Sequence, residues 1–130
     1  MTAAIVAPVN EKDASPEIRG IFEEIKRAYG VKEVPAIFRL LARLPIYLET
    51  SWQRLKFAFF DDGKLGMRTK WMIALAVSAS NNNKPMILEC TRMLRTHGVA
   101  DAELAELMAV VDVTNGMNKT LKAAGALAGG

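Results

Sequence analysis

The sequence predicts an all-α fold. Apolar residues recur at helical spacing along nearly the whole chain, and no segment alternates apolar and polar residues as a half-exposed strand would. Proline and glycine stand where these apolar runs begin and end. The 130 residues, of which 51% are hydrophobic, suffice for one domain with its own core. We therefore expect six or seven helices in a single domain, residues 1–130, with flexible segments at 1–14 and 125–130.

Local signals place the first three helices. Ser15 suits the cap and Pro16 the first position of a helix that Gly30 ends. Pro35 opens a shorter second helix. Pro45 stops that helix and opens a third. Each boundary depends on one residue type with a known backbone preference, and together they predict the order of these helices.

The second half of the chain predicts three further helices and a break. Residues 67–80 are apolar on most sides, which predicts a central and nearly enclosed fourth helix. The fifth helix begins at Pro85 and ends at Gly98, and Asp101 caps the sixth. The Asn-Gly pair at 115–116 predicts a break before a last short helix. The inward positions of the sixth helix are predicted to be Leu104, Leu107, Met108, Val110 and Val111.

Composition excludes several classes of function. The net charge is only +3, and the 17 basic residues are scattered among 14 acids, so we expect no nucleic-acid partner. The longest apolar stretch, Trp71–Ala79, is far shorter than the roughly 20 residues that span a bilayer. With no targeting signal in Met1–Asp13, we expect a cytoplasmic protein. The single cysteine, Cys90, excludes a disulfide or a multi-thiolate metal site within one chain, and we expect no metal and no cofactor.

Several segments together resemble one known superfamily. They are Leu75–Asn81 (LAVSASN), Thr91–Arg95 (TRMLR), Gly98-Val99 and Asp101–Leu104 (DAEL), preceded by residues 34–55 with Val-Pro-Ala-Ile-Phe at their start. They resemble the carboxymuconolactone decarboxylase and alkylhydroperoxidase D-like (AhpD-like) superfamily over residues 15–124. The resemblance implies an AhpD-like helical domain, assembly into dimers, trimers or hexamers, and an active site at the central helix pair.

The resemblance also implies where a redox site would lie. Redox members carry a glutamate in the central helix, a Cys-x-x-Cys at the start of the next helix, and a histidine four residues later. Here these positions hold Trp71, Asn83, Met86 and Cys90. Peroxide reduction needs an attacking thiolate and a second thiol, and tryptophan cannot transfer protons. We therefore do not expect a dithiol peroxidase.

A second resemblance covers the upstream half. Residues 17–55 are similar to one repeat of the group I 2-haloacid dehalogenases, which join two repeats and use an aspartate to activate water. This chain holds one such repeat, so a comparable site would need two chains. No residue here corresponds clearly to that aspartate.

The candidate residues have a structural and a functional interpretation. Cys90 is either a small buried hydrophobe or a thiol activated by nearby positive charge. The three asparagines at 81–83 either cap two helices or point one amide at a ligand carboxylate. Glu89 and Glu49 are possible acid/base groups if they are buried. The candidate pocket residues are Trp71, Asn81, Asn82, Asn83, Met86, Cys90, Trp52 and Phe38.

The sequence thus favours a non-redox protein that binds a small apolar molecule or an organic acid at a pocket between subunits. One alternative is a cofactor-free hydrolase of the dehalogenase type, with a site shared by two chains. If the protein is an enzyme, a lyase-like reaction is also open. Another alternative is a structural partner of catalytic paralogues.

Overall fold

The structure, a computed structural model, describes residues 6–125, and in this range the fold is all-α. No strand occurs among these residues. The prediction of an all-α fold with six or seven helices is confirmed. The helices are α1 (Pro16–Tyr29), α2 (Ala36–Leu41), α3 (Pro45–Leu55), α4 (Met67–Ser80), α5 (Lys84–Thr96) and α6 (Asp101–Ala124), with a 3-10 turn at Glu11–Asp13 and a π-helical segment at Lys56–Phe60. The chain forms two compact units, residues 1–62 and 63–130. The single domain stays a prediction.

In the first unit, α1 begins and ends as its sequence indicates. The Ile18 N–H donates to Ser15 Oγ at 3.3 Å, and Pro16 occupies the first helical position. Gly30 ends the helix with φ of +66°, which glycine adopts without a steric penalty. One face of α1 is buried, and its buried residues are Ile18, Phe22, Ile25 and Tyr29.

The core of this unit includes four aromatic rings. Tyr29 packs edge-on against Phe38, with ring centroids 5.6 Å apart. Trp52 lies 5.9 Å from Phe38 and 5.9 Å from Phe60. Trp52 and Phe38 are buried. Aromatic pairs of this kind contribute about 0.5–1.5 kcal/mol each beyond the area they bury, so this cluster stabilises the unit.

The segment before α1 contacts the rest of the first unit. The Glu11 carboxylate accepts from the Val34 N–H at 3.0 Å and pairs with Lys26 at 3.2 Å. The Val34 hydrogen bond is the largest of the effects that lower the pKa of Glu11. The Val9 N–H donates to the Arg39 carbonyl. Residues 1–5 and 126–130 lie outside the described residues, and the flexibility of the segments at 1–14 and 125–130 stays a prediction.

In the second unit, α4 packs against α5 and α6. Trp71, Leu75 and Ser78 on α4 are buried. Ile73 and Val77, however, are 50% and 55% exposed. The predicted nearly enclosed position of α4 is therefore wrong for this chain. A helix that is apolar on most sides needs cover all round, and α5 and α6 cover only part of its surface.

Helix α6 differs from its sequence prediction in three respects. The helix runs unbroken through residues 115–116 to Ala124. The Asn115 side chain donates to Ser80 Oγ at 3.0 Å, so it does not end the helix, and Gly116 alone costs only about 1 kcal/mol in a helix. Of the five predicted inward residues, Leu104 is buried and Leu107 and Val111 are partly buried, whereas Met108 and Val110 are 38% and 62% exposed. In addition, the cap residue is Ala100, one position before Asp101.

Candidate functional site

Two of the four residues that the family resemblance assigns to redox positions are buried. Trp71 on α4 is 1% exposed, and Cys90 on α5 is 0% exposed. Burial raises the pKa of the Cys90 thiol, and a hydrogen bond with the Ser78 hydroxyl opposes that effect only in part. The thiol is therefore protonated at neutral pH and out of contact with solvent, which makes it a poor nucleophile. The geometry agrees with the structural interpretation of Cys90.

The three asparagines at 81–83 connect α4 to α5. Asn81 is the residue at the end of α4, and Asn82 adopts a φ of +54°, a conformation that asparagine tolerates better than most residues. The Asn83 side chain caps α5 by accepting from the Met86 N–H at 3.1 Å. The capping interpretation is confirmed for Asn83, because its amide oxygen is used by the helix. All three asparagines are exposed.

Neither candidate acid/base group is buried. Glu49 is exposed on α3. Glu89 on α5 is half-buried and pairs with Arg92, with Nη2 2.7 Å from Oε1. The condition under which these residues were expected to act as a base is not met within this chain. Met86, at the start of α5, is 37% exposed.

The predicted pocket residues are divided between the two compact units. Trp52 and Phe38 belong to the aromatic core of residues 1–62, whereas the other six belong to the unit of residues 63–130. Within that second unit, the asparagines form an exposed turn, while Trp71 and Cys90 are core residues. None of the eight predicted pocket residues lines the α4–α6 groove described below.

A half-buried ion pair in the first unit joins α1 to the π-helical segment. Lys56 Nζ lies 2.9 Å from Glu24 Oε1. The hydrogen bond from Lys56 is the main effect that lowers the pKa of Glu24. Glu24 is therefore ionised at neutral pH and held by a cation, which suits a structural ion pair better than a general base.

An open apolar groove lies between α4 and α6. We call it the α4–α6 groove; its volume is about 410 Å³. Two acids, Glu103 and Glu106, also line it, and Glu103 is already paired with Arg68 of α4. This size and lining fit a small, largely apolar ligand. The apolar residues of its walls are Met72, Ile73, Ala76, Leu107, Val110 and Val111.

Sequence reasoning missed this groove. The apolar residues themselves are visible in the sequence. Ile73 and Val77 lie on the side of α4 away from Trp71, and α6 carries Val110. An apolar position, however, does not by itself reveal whether a neighbour covers it.

Two kinds of feature are absent from the described residues. Among residues 6–125, no helix is long and apolar enough to cross a membrane. In the same part of the chain, no three His, Cys, Asp or Glu side chains are grouped so that they could hold a metal ion.

Comparison with known proteins identifies the family. The model of the carboxymuconolactone decarboxylase family matches residues 48–129, which is more than half of the chain. The chain belongs to this family. It is also similar to the crystal structure of the alkylhydroperoxidase AhpD core from Rhodospirillum rubrum, with 29% sequence identity and a TM-score of 0.86. The match covers 94% of this chain and 91% of that one. A search of curated proteins finds no significant match.

Family membership sharpens the interpretation of the site. This member of the carboxymuconolactone decarboxylase family has one cysteine, so no dithiol can form within its chain. Its scaffold is nevertheless close to that of the AhpD core over nearly the full length. The family fold is therefore retained although the groups needed for dithiol chemistry are not present in the sequence.

Proposed function

We propose that this protein is a non-redox member of its family that binds a small apolar molecule or an organic acid in a pocket formed between subunits. The α4–α6 groove would be the part of that pocket that each chain supplies. The observation that carries the proposal is an open groove with apolar walls in which Ile73 and Val110 are half or more exposed. Binding of an apolar ligand lowers the free energy because it removes this apolar surface from water.

The charges of the groove favour a neutral ligand over an anion. Glu103 accepts from the Ala100 N–H and pairs with Arg68, so its charge is partly balanced. Glu106 forms none of the ion pairs found among the described residues. A ligand carboxylate near Glu106 would be repelled. An organic acid would therefore bind with its apolar end in the groove and its carboxylate away from Glu106.

The state of Cys90 supports the non-redox part of the proposal. A thiol with no exposed surface and a raised pKa neither attacks a peroxide readily nor meets a second thiol in this chain. Glu89 and Glu49 likewise provide no buried base for a hydrolytic reaction.

Exposed apolar side chains support assembly of the chain with itself. Ile73, Val77, Val110 and Met117 are all 50% exposed or more, and they lie on α4 and α6 of the same unit. Large exposed apolar patches mark interaction surfaces more often than free surface. A homodimer, trimer or hexamer would cover them.

Titration of the purified full chain with a neutral fluorescent naphthylamine probe tests ligand binding. We expect saturable binding by the wild type. Ala76→Phe, which fills the groove, should weaken binding about tenfold or more. The matched control is Ala102→Phe, because Ala102 is an exposed alanine of α6 outside the groove and its substitution should leave the affinity unchanged. Octanoate as a competitor should bind more tightly to Glu106→Gln than to the wild type.

Three results would contradict the proposal. The first is a probe affinity that is equal in wild type and Ala76→Phe when circular dichroism shows that both are folded. The second is halide release from 2-haloalkanoates above the buffer blank, which would favour the hydrolase instead. The third is peroxidase turnover with thiol reductants that Cys90→Ser abolishes.

A further inference from the structure

A second groove lies in the first unit, where α3 continues into the π-helical segment. We call it the α3 groove; its volume is about 460 Å³, which suits a small organic ligand. Its lining lies between residues 51 and 59, so the whole groove belongs to one unit. The lining residues are Ser51, Arg54, Leu55, Phe57, Ala58 and Phe59.

The π-helical segment exposes an aromatic ring at this groove. The Asp61 N–H donates to the Lys56 carbonyl at 2.9 Å, so this turn is wider than an α-helical one. Both ends of the segment are held, because Lys56 pairs with an acid of α1 and Phe60 packs in the aromatic core. Phe57 between them is 75% exposed. Its exposed ring therefore belongs to an anchored turn, and π-helical turns occur often at functional sites.

Arg54 supplies the α3 groove with a positive charge that has no partner. The residue is exposed in the last turn of α3, and its guanidinium forms no ion pair or hydrogen bond with the described residues. No acid of the described chain lines this groove, whereas Glu103 and Glu106 line the α4–α6 groove. A cation in a groove without acids attracts an anion. The two grooves therefore favour ligands of different charge.

Ser51 contributes a hydroxyl that the helix does not use. Hydroxyls inside a helix often donate to the carbonyl four residues before them, which satisfies the donor within the helix. The Ser51 hydroxyl forms no hydrogen bond with any described residue, although it lies in the middle of α3. Ser51 and Arg54 are three residues apart, so they lie on the same side of the helix. Four hydroxyls of this chain do donate in the usual way: Ser80, Thr91, Thr96 and Thr120.

We propose that the α3 groove is a second ligand site, which binds an aromatic monocarboxylate. The planar guanidinium of Arg54 donates two parallel hydrogen bonds to the carboxylate, and the Ser51 hydroxyl donates another. The aromatic ring of the ligand packs on Phe57 and covers part of its exposed surface. A single cation balances a single negative charge. This site goes beyond the proposed function, because it lies in the other unit and takes the ligand charge that the α4–α6 groove disfavours.

Isothermal titration of the full chain with 1-naphthoate tests this site. We expect saturable binding by the wild type, and Arg54→Gln should weaken it about tenfold because it removes the cation and its paired donors. Arg54→Lys keeps the charge without the planar fork, so it should give an intermediate loss. The matched control is Arg27→Gln, because Arg27 is an exposed arginine of α1 outside the α3 groove and its substitution should leave the affinity unchanged.

Analogues of the probe test the chemistry of the ligand. 1-Naphthalenemethanol has the same ring and no charge, so Arg54→Gln should not change its affinity. Acetate and inorganic phosphate carry charge without a ring, so neither should displace 1-naphthoate at an equal concentration. Ser51→Ala should weaken 1-naphthoate binding about threefold, because it removes one hydrogen bond.

The outcomes separate this site from the α4–α6 groove. Absence of saturable 1-naphthoate binding would overturn the second site, and so would equal affinities of wild type and Arg54→Gln when circular dichroism shows that both are folded. An equal loss in Arg27→Gln, or displacement by acetate or phosphate, would show a general attraction of anions and overturn it too.

Ala76→Phe provides the remaining comparison. If it abolishes binding of 1-naphthoate as well as of the neutral probe, both ligands occupy the α4–α6 groove and the second site is overturned. If it affects the neutral probe alone while Arg54→Gln affects 1-naphthoate alone, the protein has two sites. Binding of 1-naphthoate that depends on Arg54, with no binding of the neutral probe, would support this site although the proposed function failed.

Discussion

The two helices that pack against α4 differ in how much apolar surface they bury. α5 has 13 residues and buries Cys90, Met93 and Leu94. α6 has 24 residues and buries Leu104 alone. The longer helix therefore stabilises its own chain less per residue and exposes more apolar surface. The buried side of α4 and α5, with Trp71 and Cys90, therefore stabilises the fold, whereas the exposed apolar surface that a ligand could cover lies on α4 and α6.

The largest loss of stability should come from the buried side of α4. Trp71→Ala removes a side chain that is 1% exposed and leaves a large cavity, so it should lower the free energy of unfolding by about 3–5 kcal/mol. Urea denaturation followed by circular dichroism measures this. The control is Ile73→Ala, two residues along the same helix and 50% exposed, which should cost less than about 1 kcal/mol. Equal losses would show that the groove side of α4 is as buried as the core side.

Cys90 tests the same region with a smaller change. Cys90→Ser places a hydroxyl at a position with no exposure and should cost about 1–3 kcal/mol. In the native wild type the thiol should react with an aromatic disulfide reagent only slowly, and in urea it should react at once. Rapid reaction of the native protein would contradict the closed state.

The raised pKa of Cys90 also predicts a dependence on pH. The unfolded thiol ionises at its ordinary pKa, about 8.5, while the folded thiol stays protonated to higher pH. Its contribution to stability is therefore complete below the ordinary pKa and declines as the pH rises towards the folded pKa. Between neutral and alkaline pH, the wild type should lose more stability than Cys90→Ala, as denaturation at both pH values will show.

The cap of α5 should give a moderate effect. Asn83→Ala removes the acceptor of the Met86 N–H and should cost about 1 kcal/mol. Asn81→Ala is the matched control in the same turn, and it should change stability by less than about 0.5 kcal/mol. If Asn81 and Asn83 instead affected probe affinity and not stability, the ligand-binding interpretation of the asparagines would replace the capping one.

The ion pair between α4 and α6 should give the smallest effect. Arg68 and Glu103 are both nearly half exposed, so Arg68→Gln should cost less than about 1 kcal/mol. Glu103→Ala should cost more, because it also removes the acceptor of the Ala100 N–H at the start of α6. Thermal denaturation of the two variants at low and high salt compares them. A salt-independent loss in Arg68→Gln would contradict a solvent-exposed ion pair.

The accuracy of the sequence predictions depended on how local the signal was. Ser15, Pro16 and Gly30 act within one helical turn, and the structure confirms their roles in α1. Asn83 likewise caps the helix that follows it. The predicted break at 115–116 failed because Asn115 has a partner 35 residues away, Ser80, which no local pattern reveals.

The sequence by itself determined the all-α class, the helix order, the resemblance to the family and the absence of a second thiol. These follow from residue types and short-range spacing, which the chain carries wherever it folds. Only the tertiary structure decided that Trp71 and Cys90 are buried, that Ile73 and Val110 are exposed, and that Glu89 forms an ion pair with Arg92. The physical reason is that the type of a side chain sets whether it is more stable in an apolar or a polar environment. The packing of residues distant in the sequence decides which environment it has.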